Sequence, residues 1–292
     1  MSLVARLTAA RERLRFRYAP KIAELYLWAA TKRARTKLTG NPIGILVDSN
    51  VLGHGVTHET MWVSTGTKMW GPHDIETGYA ARVPVHNRDD QSDVYANIKR
   101  LPAIAYLARS GVISLLTSAE LQDEQFRQPM GRFTGYGCFD QSIFNGVPIE
   151  SIDGLVFPTM GPSSLRLPSA KEQQQDRLAQ SEDKLYHSIA QKLGPKQNLD
   201  AWHIRTAEVQ GLFCFLTMDL KLHKSVRQKM HMEPFQSLTT KVMTPLEFGE
   251  QFGLWPAPPH LLSYDNASFF VRPDLNMPNG RRRPRKLYKR SK

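Results

Sequence analysis

Four acidic residues stand at points in the chain where chemistry could be done with them. Asp48 ends the apolar run IGILV, and Asp219 follows FCFLT after one residue. Asp200 falls in the first turn of a helical pattern, and Glu124 lies on the helix after a second apolar run. Carboxylates gathered at one place repel one another unless a cation neutralises them, and oxygen-only ligation with no cysteine nearby favours Mg2+ or Mn2+ over Zn2+. Any one of these acids alone could equally be a helix cap or a partner for a helix dipole. All four together make a pattern for metal-assisted hydrolysis, in which a hard cation lowers the pKa of a water and offsets charge on a scissile phosphate. Asp48, Asp200 and Asp219 are the candidate direct ligands, with Glu124 binding directly or through water. Asn50 and Thr217 could orient these carboxylates by hydrogen bonds, and ordinary strand-end turn chemistry is an equal alternative for them.

The elements that must position these residues are readable from the patterning. IGILV, VISLLT, GLFCFLT and TKVMT are short apolar runs suited to buried strands, and helical patterns alternate with them. That alternation implies an α/β fold, a central parallel sheet with helices on its faces. In such a sheet ligands bind outside the carboxyl ends of the strands, where Asp48 and Asp219 would meet if their strands are neighbours. Helices are expected from Ser92 to Arg109, over SAELQDEQFRQ with Ser118 as cap, over 171–193, over LDAWHIRTAEVQ with Asn198 as cap, and over PLEFGEQFG. Residues 53–92 and 129–170 read as irregular insertions, the first with a hairpin around MWVSTGTKMW. The compact domain then spans 40–253.

Around the acids the residues resemble a known family. IGILVDSNVL looks like the first strand of PIN domains, in which the leading Asp is followed two residues on by a small polar residue, here Asn50. LDAWHIRTAEVQGLFCFLTMDLKL is similar to the later PIN motif, where an Asp opens a helix and a Thr-x-Asp closes the next strand. The match covers Asp200 through Leu222, with Ala201, His203, Ala207 and Thr217 at positions typical of VapC-like toxin nucleases. The resemblance implies a three-layer α/β/α domain and metal-dependent phosphodiester cleavage, usually of RNA, by in-line attack that leaves a 5′-phosphate and a 3′-hydroxyl. It also implies a second acid on the helix after VISLLT. Glu120 has the phase of the toxin-type Thr-x-x-Glu-Leu pattern and Glu124 that of a related helix pattern. The two lie one turn apart, so either could reach the site, with Glu124 the expected second acid and Glu120 the alternative. His203, one turn after Asp200, reads as a satisfied packing histidine. A PIN-like module that binds RNA or protein without catalysis is the rival reading.

The charge is divided along the chain. The 292 residues carry +12, of which residues 1–38 and residues 281–292 each contribute +8, so the rest is mildly acidic at −4. The composition, 41% hydrophobic and 23% charged, excludes collagen-like, mucin-like and wholly disordered classes. The N-terminal arm, 1–39, reads as two helices broken at Pro20, with Ile22, Leu25, Leu27 and Trp28 near one packing face. The segment 254–292 reads as a largely disordered tail, in which Arg281, Arg282, Arg283, Arg285, Lys286, Lys289, Arg290 and Lys292 suit nucleic-acid phosphates or an anionic membrane surface. Cys138 and Cys214, with no CxxC spacing, fit a reduced cytoplasmic compartment. Apolar stretches fall short of the ~20 residues of a membrane span, and the N-terminus does not read as a secretory signal. The resemblance implies RNA as the partner, with DNA as substrate left open. A homodimer and a regulator of the antitoxin kind stay open. Four histidines of the first insertion, His54, His58, His73 and His86, lack the cysteines of a common zinc site.

Overall fold

The computed structural model describes residues 3–87, 90–127, 141–154 and 168–262. The basic cluster at 281–292 and Cys138 lie outside them. Five strands form one parallel sheet: β1 (Ile43–Val47), β4 (Ile113–Thr117), β6 (Ile149–Ser151), β7 (Cys214–Leu216) and β8 (Lys241–Met243), in the order β6-β4-β1-β7-β8. The fold is α/β, as the alternation of runs implied. Strand β1 is central, and the chain builds outward from it in one direction through β4 and β6, then in the other through β7 and β8. The order reverses between β1 and β7, so a crevice opens at the carboxyl ends of these two strands.

Alternation along the strands buries both faces. Ile45, Val47, Ile113, Leu115, Cys214 and Leu216 join one apolar cluster, together with helices α5 (Leu101–Arg109) and α11 (Pro245–Phe252). Leu46 and Phe215 point to a second cluster, with α8 (Lys184–Leu193), α9 (Asn198–Val209) and α10 (Leu220–Lys229). Phe215 is fully buried, which at roughly 25 cal/mol per Å2 of apolar surface stabilises the fold by about 2–3 kcal/mol. A strand exposed on one face would instead alternate with polar residues, and the central strands β1 and β7 do not.

Several elements differ from the sequence expectation. The N-terminal helix α1 (Leu3–Ala30) runs through Pro20 without ending, and a short α2 (Lys32–Lys37) follows. Its packing face is built from Ala23, Leu27 and Ala30, whereas Ile22, Leu25 and Trp28 are exposed. The first insertion is regular: after α3 (Ser49–His54), β2 (Val56–Trp70) and β3 (His73–Pro84) pair along their length. The connection is the two residues Gly71 and Pro72, with Gly71 at φ +63, the positive value that tight hairpin turns need. The turn therefore lies just beyond MWVSTGTKMW rather than within it. In the second insertion, β5 (Gln141–Ser142) pairs with β2, and β6 extends the main sheet.

Two expected helices are each split. The Ser92–Arg109 pattern forms α4 (Asp93–Ile98) and α5, because Pro102 belongs at a helix start, where its missing N–H costs nothing. The 171–193 pattern forms α7 (Ala170–Ala179) and α8, divided where the Asp183 side chain accepts from the Tyr186 N–H and caps α8. Asn198 is no cap: the turn Pro195–Gln197 leads straight into α9, so Asn198 is already helical. Ser118 does accept from the Leu121 N–H at 3.4 Å at the start of α6 (Ala119–Arg127). No helix among the described residues is long and apolar enough to cross a membrane.

Candidate active site

The parallel pairing of β1 with β7 sets Val47 beside Leu216, so the residues that follow each strand emerge together. Asp48 caps α3 in an extended conformation, and its Oδ1 accepts from the Asn50 N–H at 3.3 Å. One residue past β7, Thr217 is buried and its hydroxyl donates to Asp48 Oδ2 at 2.7 Å. Thr217 Oγ1 itself accepts from Asn50 Nδ2 at 3.4 Å and from the Asp219 N–H at 3.0 Å. A hydroxyl offers one donor and two lone pairs, so Thr217 is used in full. Asn50 Oδ1 in turn accepts from the Met218 N–H at 2.9 Å. Asn50 and Thr217 thus tie the ends of the two strands together. Asp219 caps α10, its Oδ1 accepting from the Lys221 and Leu222 N–H groups at 2.8 and 3.0 Å.

From the other elements come Asp200, in the first turn of α9, and Glu124 on α6. Burial pushes the Asp200 carboxyl up to about 7; the charges of Asp48, Asp219 and Glu124 add to the rise, and His203 opposes it. Asp48 is also raised by burial, against the pull of its Thr217 hydrogen bond, the charge of His203 and the Asn50 N–H. Each of the other three sequence-selected acids therefore lies within electrostatic reach of Asp200. The two candidates on α6 separate: Glu124 Oε1 stands 2.8 Å from His203 Nε2, whereas Glu120 turns to Arg177 and Gln174 of α7, at 3.0 and 2.7 Å. Glu120 is a packing ion pair in this structure and does not face the other acids.

His203 is not the satisfied packing histidine expected. Its Nε2 meets Glu124, but its Nδ1 is buried without a hydrogen-bond partner. Burial opposes its protonation, yet the charge and hydrogen bond of Glu124, with Asp48 and Asp200 behind, raise its pKa. Its place three residues after Asp200, on the same side of α9, was the signal for this role. Ser49 was missed as well: its Oγ lies 3.4 Å from Asp48 Oδ1 and 3.5 Å from Glu124 Oε2, between the two carboxylates. Asp153, just past β6 on the same rim, spends its carboxylate on the Ala119 N–H at the start of α6. Among the described residues the insertion histidines form no metal-holding group: His86 Nε2 lies 3.1 Å from the His54 carbonyl oxygen, His58 is buried beside Thr57, and His73 stands at the far end of the hairpin.

As placed, no group of three or more His, Cys, Asp or Glu among the described residues could hold a metal ion. In this arrangement the hydroxyl of Thr217, the amides at the start of α10 and the His203 ring each engage one carboxylate oxygen. The donor set nevertheless suits a hard cation. It is all oxygen, and its members raise the pKa of Asp200 by repulsion that a cation would relieve. Cys214 sits in the core of the sheet, its thiol pushed up by burial, and takes no part. Compared with known proteins, the chain matches no family model, no curated protein and no solved structure.

Proposed function

We propose that the chain is a metal-dependent endoribonuclease with a PIN-like, three-layer α/β/α domain. The observation that carries this reading is the convergence of Asp48, Glu124, Asp200 and Asp219, from four separate elements, on the crevice where the strand order reverses. Acids placed there cost stability through mutual repulsion, and a fold has no packing reason to collect them. The two apolar clusters, one on each side of the sheet, support the three-layer arrangement.

Mg2+ or Mn2+ held by Asp48, Asp200 and Asp219, with Glu124 directly or through water, would supply Lewis acidity and offset the charge of the scissile phosphate. The residues of the chain do the positioning. Thr217 fixes the Asp48 carboxylate, Asn50 ties Thr217 and Met218 at the β7 exit to the start of α3, and His203 holds Glu124. Such fixed orientation of ligand side chains is worth about 10–100-fold in metal affinity or activity.

The absence of a preformed ion-holding group among the described residues favours a second reading, a PIN-like module that binds RNA or a protein without cleaving. Incubating the purified chain with RNA in Mg2+ or Mn2+, then sequencing the ends, separates the two. The nuclease reading expects new 5′-phosphate ends that chelator abolishes; intact RNA and no Mn2+ binding at millimolar concentration would favour the binding module.

A further inference from the structure

The proposed site makes no use of α1, whose two sides differ in a way that packing does not require. Toward the domain it presents Ala23, Leu27 and Ala30, which are buried. On the opposite side lie Leu7, Leu14, Tyr18, Ile22, Leu25 and Trp28, and each is 45–66% exposed. At about 100° per residue, Leu7, Leu14 and Leu25 fall within roughly 20° of one another, with Ile22 and Trp28 about 60° to either side. The stripe is therefore about 120° wide and, at 1.5 Å per residue, about 32 Å long. Arg11, Arg17 and Lys21 are exposed along it, and residues 1–38 as a whole carry +8.

We infer that α1 is an interfacial helix that lays this stripe into the surface of an anionic phospholipid bilayer. Complementary charge selects the occupant. A second copy of the chain would bring another +8 against the first. Nucleic acid would reward the cations and the aromatic rings, but it has no use for four exposed aliphatic side chains. A coiled-coil partner takes up only a narrow seam, whereas a stripe this broad with cations along it fits a flat, anionic apolar boundary. Tyr18 and Trp28, with apolar rings and polar tips, suit the headgroup level. The inference is independent of the nuclease reading, because none of the proposed metal ligands lies on α1.

The test is flotation of the full chain with vesicles of phosphatidylcholine alone and of phosphatidylcholine with about 30% phosphatidylglycerol, comparing the parent with a Leu14→Gln, Leu25→Gln variant. Both leucines are more than half exposed, so the variant should keep the parental circular dichroism and melting temperature. The C-terminal cations are the same in both proteins and cancel in the comparison. The expected result is flotation on anionic but not neutral vesicles, with at least a tenfold weaker partition for the variant. Equal flotation of parent and variant would overturn the inference, as would no flotation of the parent. So would a parental dimer that the variant dissolves, or a loss of RNA binding in place of vesicle binding.

Discussion

The hydroxyl of Thr217 donates to the Asp48 carboxylate at 2.7 Å, and so joins the exits of two neighbouring parallel strands through one buried atom. Replacing Thr217 by Val keeps the shape but removes the donor to Asp48 and the acceptor for both Asn50 Nδ2 and the Asp219 N–H. Thr217→Val should cost about 1–3 kcal/mol in urea unfolding. It should also weaken Mn2+ binding by about tenfold or more, measured by calorimetry. Thr217→Ser, which keeps the hydroxyl, should recover most of the metal affinity.

The two glutamates of α6 should have opposite phenotypes. Glu120→Gln breaks a mostly buried ion pair with Arg177, so it should lower stability by about 1–2 kcal/mol and leave RNA cleavage near the parental rate. Glu124→Gln should reduce cleavage at least 100-fold while the melting temperature changes little. Thermal melts and single-turnover cleavage on both variants check the pair, and inactivity of Glu120→Gln with an active Glu124→Gln would reverse the assignment.

Asp200 sets a pH dependence for the metal-free protein. Its carboxyl is raised from 3.8 to about 7 on folding, so between these values the folded state binds more protons than the unfolded state, and stability falls as pH rises. Asp200→Asn imitates the protonated form. Its stability advantage over the parent should be near zero at pH 4 and grow to on the order of 2–4 kcal/mol by pH 8. Saturating Mn2+ should stabilise the parent at pH 8 and so reduce that advantage. Chemical denaturation across pH, with chelator and with Mn2+, measures both effects.

Much of this arrangement was legible in the residues, and the failures have particular causes. Asp48 and Asp219 could be placed because each closes a short apolar run, and the parallel sheet follows from the alternation of such runs with helices. Glu120 and Glu124 could not be separated, since they sit one turn apart and their fates depend on Arg177 and His203, each more than fifty residues away. Strand β6 was invisible because Ile149–Ser151 is three residues long with a charged centre. The face of α1 was misread for a different reason. Large apolar residues suggest the packing side, but small alanines flanking Leu27 let α1 approach α5 closely, and Ile22, Leu25 and Trp28 are left outside.

The basic cluster after Asn279 should add affinity without chemistry. If its eight cations meet about five phosphates of a single strand, the log–log salt slope of RNA binding gains roughly −3.5. Deletion after Asn279 should weaken binding strongly at low salt and little at high salt, with the rate at saturating RNA retained. Binding isotherms at several salt concentrations check this, and an unchanged slope would assign the cluster another role.

The most direct measurement is the cleavage of end-labelled RNA by the parent and by Asp48→Asn, each with Mn2+ and with chelator. Asparagine keeps one oxygen for the Asn50 N–H and turns its amide nitrogen toward the Thr217 oxygen, and because burial raises the Asp48 carboxyl the loss of its charge relieves a cost; circular dichroism and a thermal melt check that the variant folds. A metal site of four carboxylates predicts Mn2+-dependent cleavage by the parent, reduced at least 100-fold in Asp48→Asn. Cleavage by Asp48→Asn at the parental rate, or by the parent undiminished in chelator, would contradict it.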